Sequence, residues 1–149
     1  IFIIFTMPNA DPNNKIIKQM IEEFIAMNTD RAIEFVSMGQ LKYYSTMQFV
    51  DGVLGNSSSG LLEAPSFKIG SINIGDRQKG RLKAKSIIDC KPSKNSIAEA
   101  IEILYSDKFN SVLSSTINPY GDGKAVKKIM NVLSKKSIPK ELKKEFNNI

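Results

Sequence analysis

The 149-residue chain contains no histidine, no tryptophan and a single cysteine, Cys90. Without histidine, a zinc site of the usual His/Cys type and a Ser-His-Asp triad are both excluded within these residues. A lone cysteine excludes an internal disulfide and fits a reducing, cytoplasmic setting, in which Cys90 reads as a buried, inert thiol. Long apolar runs are absent too. The opening Ile1-Phe2-Ile3-Ile4-Phe5 is far too short to span a bilayer, lacks a basic flank, and ends at Met7-Pro8-Asn9 rather than at a small-residue cleavage site. Neither membrane insertion nor secretion is supported. Starting on a buried-type strand with no initiator methionine, cap or turn before it, the sequence reads as part of a longer protein.

Charge is unevenly distributed. The net charge is +6, which suggests nucleic acid at first sight. From residue 124 onward, however, eight lysines face only Glu141 and Glu145, which accounts for the whole +6 and leaves residues 1–123 neutral. Lysines spread along terminal helices without interleaved aromatics form a solvated face, or a surface packing on another domain, rather than a nucleic-acid stripe.

The length suits one domain able to bury about two-thirds of the surface its unfolded chain exposes. Short runs rich in Ile, Val and Phe predict strands at Ile1–Thr6, Ala32–Val36, Gly52–Gly55, Ser71–Ile74 and Ser86–Asp89. Between them, Asp11 and Pro12 open a helix carrying Ile17, Met20, Ile21, Phe24 and Ile25 at helical spacing. A second helix is predicted at Gln40–Phe49, with Leu41, Tyr44 and Met47 or Phe49 as its apolar face. Ser96-Ile97-Ala98-Glu99 has the form of a capping box. Further helices are expected at Lys108–Ile117, Lys124–Leu133 and Pro139–Asn147. Alternating β and α with continuous rather than alternating strands predicts an α/β fold, a Rossmann-like parallel sheet with helices on both faces.

Ligands of such sheets bind at the carboxyl ends of the strands, and the unusual residues fall there. Asn9 follows the first strand, Ser37–Leu41 the second, Gly55-Asn56-Ser57-Ser58-Ser59-Gly60 the third, and Gly75-Asp76-Arg77-Gln78-Lys79-Gly80-Arg81 the fourth. Small polar residues where a strand runs into a helix bring backbone N–H groups and hydroxyls together, which is anion-binding geometry. One serine there is commonly a cap; three adjacent serines exceed what a cap requires. Glu63 does not stand at capping-box spacing from any of them, so it needs another reason. Arginines supply charge for phosphate and a carboxylate accepts from a sugar diol. A nucleotide or nucleotide sugar is the expected guest.

Met7-Pro8-Asn9-Ala10-Asp11, the serine stretch with Glu63, Ile72-Asn73-Ile74-Gly75-Asp76-Arg77-Gln78-Lys79-Gly80-Arg81 and Tyr120-Gly121-Asp122-Gly123 resemble, in that order, the hydrolysing UDP-N-acetylglucosamine 2-epimerases of sialic-acid and related nonulosonate biosynthesis. The likeness runs from Ile1 to about Leu133. It implies the C-terminal half of a two-domain GT-B architecture, without that domain's first strand and helix and without the N-terminal domain. By resemblance, Ser57 and Ser58 hold the diphosphate, Glu63 the ribose hydroxyls and Arg77 the phosphate side, while Asn9, Val36 and Leu41 line the uracil end. Core packing is the plainer alternative for Val36 and Leu41. Some relatives carry an aromatic where Leu41 stands, so base stacking here is weaker. Arg81 and Gln78 order the loop or touch ligand.

The implied reaction eliminates UDP from UDP-GlcNAc to a glycal and adds water at the anomeric carbon, giving N-acetylmannosamine. The resemblance implies no cofactor and no metal, and it puts the acid–base carboxylates mainly on the N-terminal domain and a family histidine before Ile1. The alternatives are a UDP-N,N′-diacetylbacillosamine 2-epimerase, a GT-B glycosyltransferase and a non-catalytic UDP-binding module. Expected partners are the UDP-sugar and the N-terminal domain, with no nucleic acid or membrane. Homo-oligomerisation, through the unpaired edge of the first strand or through apolar helix faces, is a further expectation.

Overall fold

The computed structural model describes residues 1–7 and 14–135. It divides into two units, Ile1–Val50 and Asp51–Ile149. In the first, β1 (Ile3–Thr6), α1 (Asn14–Met27), β2 (Ala32–Phe35) and α2 (Gly39–Thr46) follow one another, and β1 and β2 pair in parallel with Ile3 opposite Ala32. A parallel pair needs a crossover connection, and α1 supplies it. Phe24 of α1 meets Phe5 of β1 edge to face, with ring centroids 5.7 Å apart, a geometry favoured by the ring quadrupoles. The α2 region buries Met47 (2% exposed) and leaves Phe49 at 86%. Of the two residues offered for that apolar face, Met47 is the one used.

The second unit holds β3 (Gly52–Gly55), α3 (Ser59–Leu62), a 3₁₀ turn (Ala64–Phe67), β4 (Gly70–Ile74), β5 (Ile87–Cys90), α4 (Lys94–Leu104), α5 (Asp107–Ser115) and α6 (Ala125–Lys135). Its strands form a parallel ladder in the order β3-β4-β5, with Gly55 opposite Asn73 and Asn73 opposite Asp89. Alternate residues of β4 point to opposite faces. Ile72 packs on Ala100 and Leu104 of α4, with Ile74, Ile88, Cys90, Ile101 and Phe109 around them. Burying an aliphatic side chain of this size contributes about 1.5–3 kcal/mol.

On the other face stand Ser71 and Asn73, both buried, and α3 lies against Ser71: a Cβ on Gly60 would overlap Ser71 Oγ. Helices therefore cover both faces, and the fold is α/β. Here β4 departs from the continuous apolar strand expected of a parallel sheet, because its α3 face is built from small and polar side chains that admit close helix approach.

The α4 cap also differs from expectation. Ser93, not Ser96, is the N-cap, its hydroxyl accepting from Ser96 N, and the helix begins at Lys94. Ser96 Oγ instead accepts from Lys91 N at 3.1 Å, since an extended residue (φ −135°, ψ 147°) at 93 gives the chain its entry angle. Cys90 is half-buried, and burial, followed by the nearby Asp89 charge, pushes its thiol pKa up, in keeping with an unreactive thiol. The helix expected at Pro139–Asn147, together with the cap at Asp11 and Pro12, lies outside the described residues. Among the described residues no helix is long and apolar enough to cross a membrane.

Candidate functional site

The chain leaves β3 at Gly55 and turns through three serines, each with a different task. Ser57 Oγ accepts from Ser59 N at 3.3 Å. Ser58 opens α3, its carbonyl accepting from Leu61 N at 3.0 Å and Leu62 N at 2.9 Å. Among the described residues the half-buried Ser58 hydroxyl has no hydrogen-bond partner. Ser59 Oγ donates to Glu63 Oε2 at 2.5 Å. That bond spans one helical turn, so it supplies the local partner for Glu63 that capping-box spacing did not reveal. Glu63 is half-buried at the junction of α3 and the 3₁₀ turn, its carbonyl accepting from Ser66 N at 2.9 Å.

The second turn leaves β4 at Gly75, whose φ of +76° suits glycine. Two successive tight turns follow, closed by Lys79 N to Asp76 O at 2.8 Å and Arg81 N to Gln78 O at 3.3 Å. They turn the Gln78 side chain inward, 3% exposed, where Nε2 donates to the Asn56 carbonyl at 2.7 Å. Oε1 of Gln78 is buried without a partner among the described residues. Arg77 and Arg81 both face outward, and among the described residues neither guanidinium makes a hydrogen bond or ion pair. The arginine turn is thereby fastened directly to the serine turn, and both emerge from the carboxyl ends of adjacent parallel strands.

Behind the arginine turn, Lys83 Nζ reaches both carboxylate oxygens of Asp89 at 2.7 Å, and Asn73 Nδ2 donates to Oδ1 at 2.7 Å. Burial raises the Asp89 pKa, but the hydrogen bonds from Lys83 and Asn73 and the lysine charge outweigh it, so the net shift is downward. Lys83 and Asn73 thereby hold this carboxylate in its charged form, paired with the lysine. Among the described residues no cluster of three or more His, Cys, Asp or Glu could hold a metal ion.

Ser57, Ser58 and Arg77 thus lie in the second unit on the two turns that follow β3 and β4, and Glu63 at the C-terminal end of α3. In the first unit Val36 and Leu41 follow β2 and are 79% and 83% exposed, so core packing is overturned for both. Asn9 lies outside the described residues. Of the two roles open to Gln78, loop ordering and ligand contact, its bond to Asn56 gives it the first. Asn118, which no sequence motif marks, donates from Nδ2 to the Leu62 carbonyl at 2.8 Å. The signal was there in part, since Gln78 and Tyr120 both belong to the motifs already singled out.

A protein-family profile described as UDP-N-acetylglucosamine 2-epimerase matches residues 1–134. The chain belongs to that family. It is 42% identical over 117 residues to the polysialic acid biosynthesis protein P7 of Escherichia coli, covering 78% of this chain and 29% of that protein. It is 43% identical over 107 residues to a GDP/UDP-N,N′-diacetylbacillosamine 2-epimerase (hydrolyzing) of Campylobacter jejuni, covering 72% of this chain and 27% of that protein. The chain therefore spans less than a third of the length of these two curated relatives. Its fold is similar to a crystal structure of a Listeria monocytogenes protein assigned as a UDP-N-acetylglucosamine 2-epimerase, with a TM-score of 0.68 at 17% identity over 89% of this chain and 35% of that one.

Proposed function

We propose that this chain is the C-terminal, UDP-binding part of a hydrolysing UDP-sugar 2-epimerase whose acid–base groups lie on an N-terminal domain. Two things support the reading: membership of the epimerase family across residues 1–134, and the fastening of the arginine turn to the serine turn through Gln78 and Asn56. The second carries the site, because hydroxyl and guanidinium donors on two tied turns suit the two phosphates of one nucleoside diphosphate.

In this reading Ser57 and Ser58 donate to diphosphate oxygens, Arg77 pairs with the phosphates, Glu63 accepts from the ribose hydroxyls, and Asn9, Val36 and Leu41 line the uracil end. A base on the N-terminal domain removes the proton from C2 of UDP-GlcNAc, and the bond from C1 to the diphosphate oxygen breaks, giving a glycal and UDP. Water then adds across the C1–C2 double bond, its hydroxyl going to C1 and a proton to C2 on the face opposite the one that lost it, to yield N-acetylmannosamine. The share of this chain is the leaving group, whose growing negative charge the serine hydroxyls and Arg77 stabilise. The site takes no cofactor or metal in this scheme, and the enzyme works in the cytoplasm.

A second substrate, UDP-N,N′-diacetylbacillosamine, is favoured by the name of the Campylobacter jejuni relative. Incubating the complete protein with each UDP-sugar, followed by analysis of free UDP and the released sugar, decides between them. Release of N-acetylmannosamine from UDP-GlcNAc bears the first reading out. Transfer of the sugar to an acceptor alcohol would instead indicate a glycosyltransferase, and UDP binding without turnover a non-catalytic module. The 149-residue chain on its own is expected to turn over neither substrate.

A further inference from the structure

We propose that Asn118 and Tyr120 are positioning residues of the nucleotide site, setting the spacing between the helix end that carries Glu63 and the turn that carries Arg77. The inference rests on the UDP reading of those two residues. Between α5 and α6 the chain runs across the second unit and is fastened at each step. Thr116 is fully buried, its Oγ1 donating to Val112 O at 3.0 Å, and its carbonyl accepts from Lys68 Nζ. Asn118 Nδ2 donates to Leu62 O at 2.8 Å and to Ser66 Oγ at 2.7 Å. Leu62 is the last residue of α3, so its carbonyl is one of those a helix leaves without an internal partner, and it belongs to the peptide that leads into Glu63.

The other end of the strap reaches the arginine turn. Asn118 Oδ1 accepts from Tyr120 N at 2.9 Å, and Tyr120 Oη donates to Leu82 O at 3.0 Å. Gly121 and Gly123, at φ +126° and +79°, then lead the chain away to α6, where Asp122 pairs with Lys124 and Lys128. Three consecutive residues thus connect the carbonyl beside Glu63 to the segment that follows Arg77 and Arg81. Tyr120 and Leu82 are both exposed, so this bond lies outside the apolar core and adds little to it. Its consequence is geometric: a hydrogen-bonding constellation works only when its supports hold it within about 0.5 Å.

The test is a calorimetric titration of the complete protein with UDP, comparing parent, Tyr120→Phe, Arg77→Ala and the double variant, with thermal melts alongside. Tyr120→Phe is expected to weaken UDP about five- to tenfold, the share of one hydrogen bond, at an unchanged melting temperature, and to add nothing in the Arg77→Ala background. Non-additivity of this kind marks action through the partner. Asn118→Ala, combined with Glu63→Ala, gives the same cycle for the other end of the strap. Equal weakening in both backgrounds, or none where Arg77→Ala does weaken UDP, overturns the positioning role and leaves the UDP reading standing. If Arg77→Ala binds UDP as the parent does, the UDP reading itself is overturned, and this inference with it.

Discussion

Gln78 Nε2 donates to the backbone carbonyl of Asn56 at 2.7 Å, from a side chain that is itself almost completely buried. One side chain therefore makes the turns after β3 and β4 a single structural unit, twenty-two residues apart in sequence. Removing the donor takes away a part-buried hydrogen bond, whose net contribution is about 0.5–1.5 kcal/mol. Gln78→Met keeps the volume and loses the donor, so chemical denaturation should show a loss in that range. A stability equal to the parent's would mean that the bond contributes nothing.

Glu63 and Arg77 should separate the two ends of the nucleotide. In the complete protein Glu63→Ala should weaken UDP by about 1.5–3 kcal/mol, because a charged acceptor is lost, while inorganic diphosphate binds as before or slightly tighter. Arg77→Ala should weaken both ligands. Calorimetric titration distinguishes the patterns. Undiminished UDP binding by Glu63→Ala would remove the ribose role and leave that carboxylate its bond with Ser59.

Gly60 is fixed by the approach of α3 to β4. A methyl group there meets Ser71 Oγ on a buried residue, and overpacking of this kind costs about 1–3 kcal/mol. Gly60→Ala should therefore lower the denaturation midpoint, and Ser71→Ala in the same chain should restore part of the loss. No change in Gly60→Ala would show that α3 moves away from the strand at little cost.

Acid should loosen the second unit through Asp89. Hydrogen bonds from Lys83 and Asn73 and the charge of Lys83 hold its pKa below the ordinary carboxylate value despite the opposing effect of burial. A carboxylate whose folded pKa is depressed contributes stability that is present above its unfolded pKa and lost as pH falls through the folded one. Stability followed by denaturation across the range below about pH 4 should decline, and Lys83→Met should shrink that decline. Both partners remain partly exposed, so the effect also diminishes with added salt.

Much of this protein could be read from local pattern. Period and composition determined the alternation of strands and helices, because an apolar run of four or five residues flanked by polar turns has few other ways to bury itself. Among the described residues all five strands overlap those expected, and the two motif-bearing turns follow β3 and β4 as anticipated. Residue type alone also determined what the site can do chemically: hydroxyls and guanidinium groups bind phosphate, and a chain without histidine builds neither a His/Cys zinc site nor a serine triad.

Tertiary structure decided what depends on a partner distant in sequence. The burial of Gln78 follows from its reaching across to Asn56, and the polar face of β4 follows from the closeness of Gly60. Local context was misleading at α4, where Ser96 has capping-box spacing but the extended backbone of Ser93 makes that residue the cap. Val36 and Leu41 carry no sign in the sequence of whether they are covered, since an apolar residue after a strand suits core and cleft equally. The link from Asn118 to Leu62 spans fifty-six residues, and no spacing rule reaches so far; only the folded chain brings that amide to the carbonyl beside Glu63.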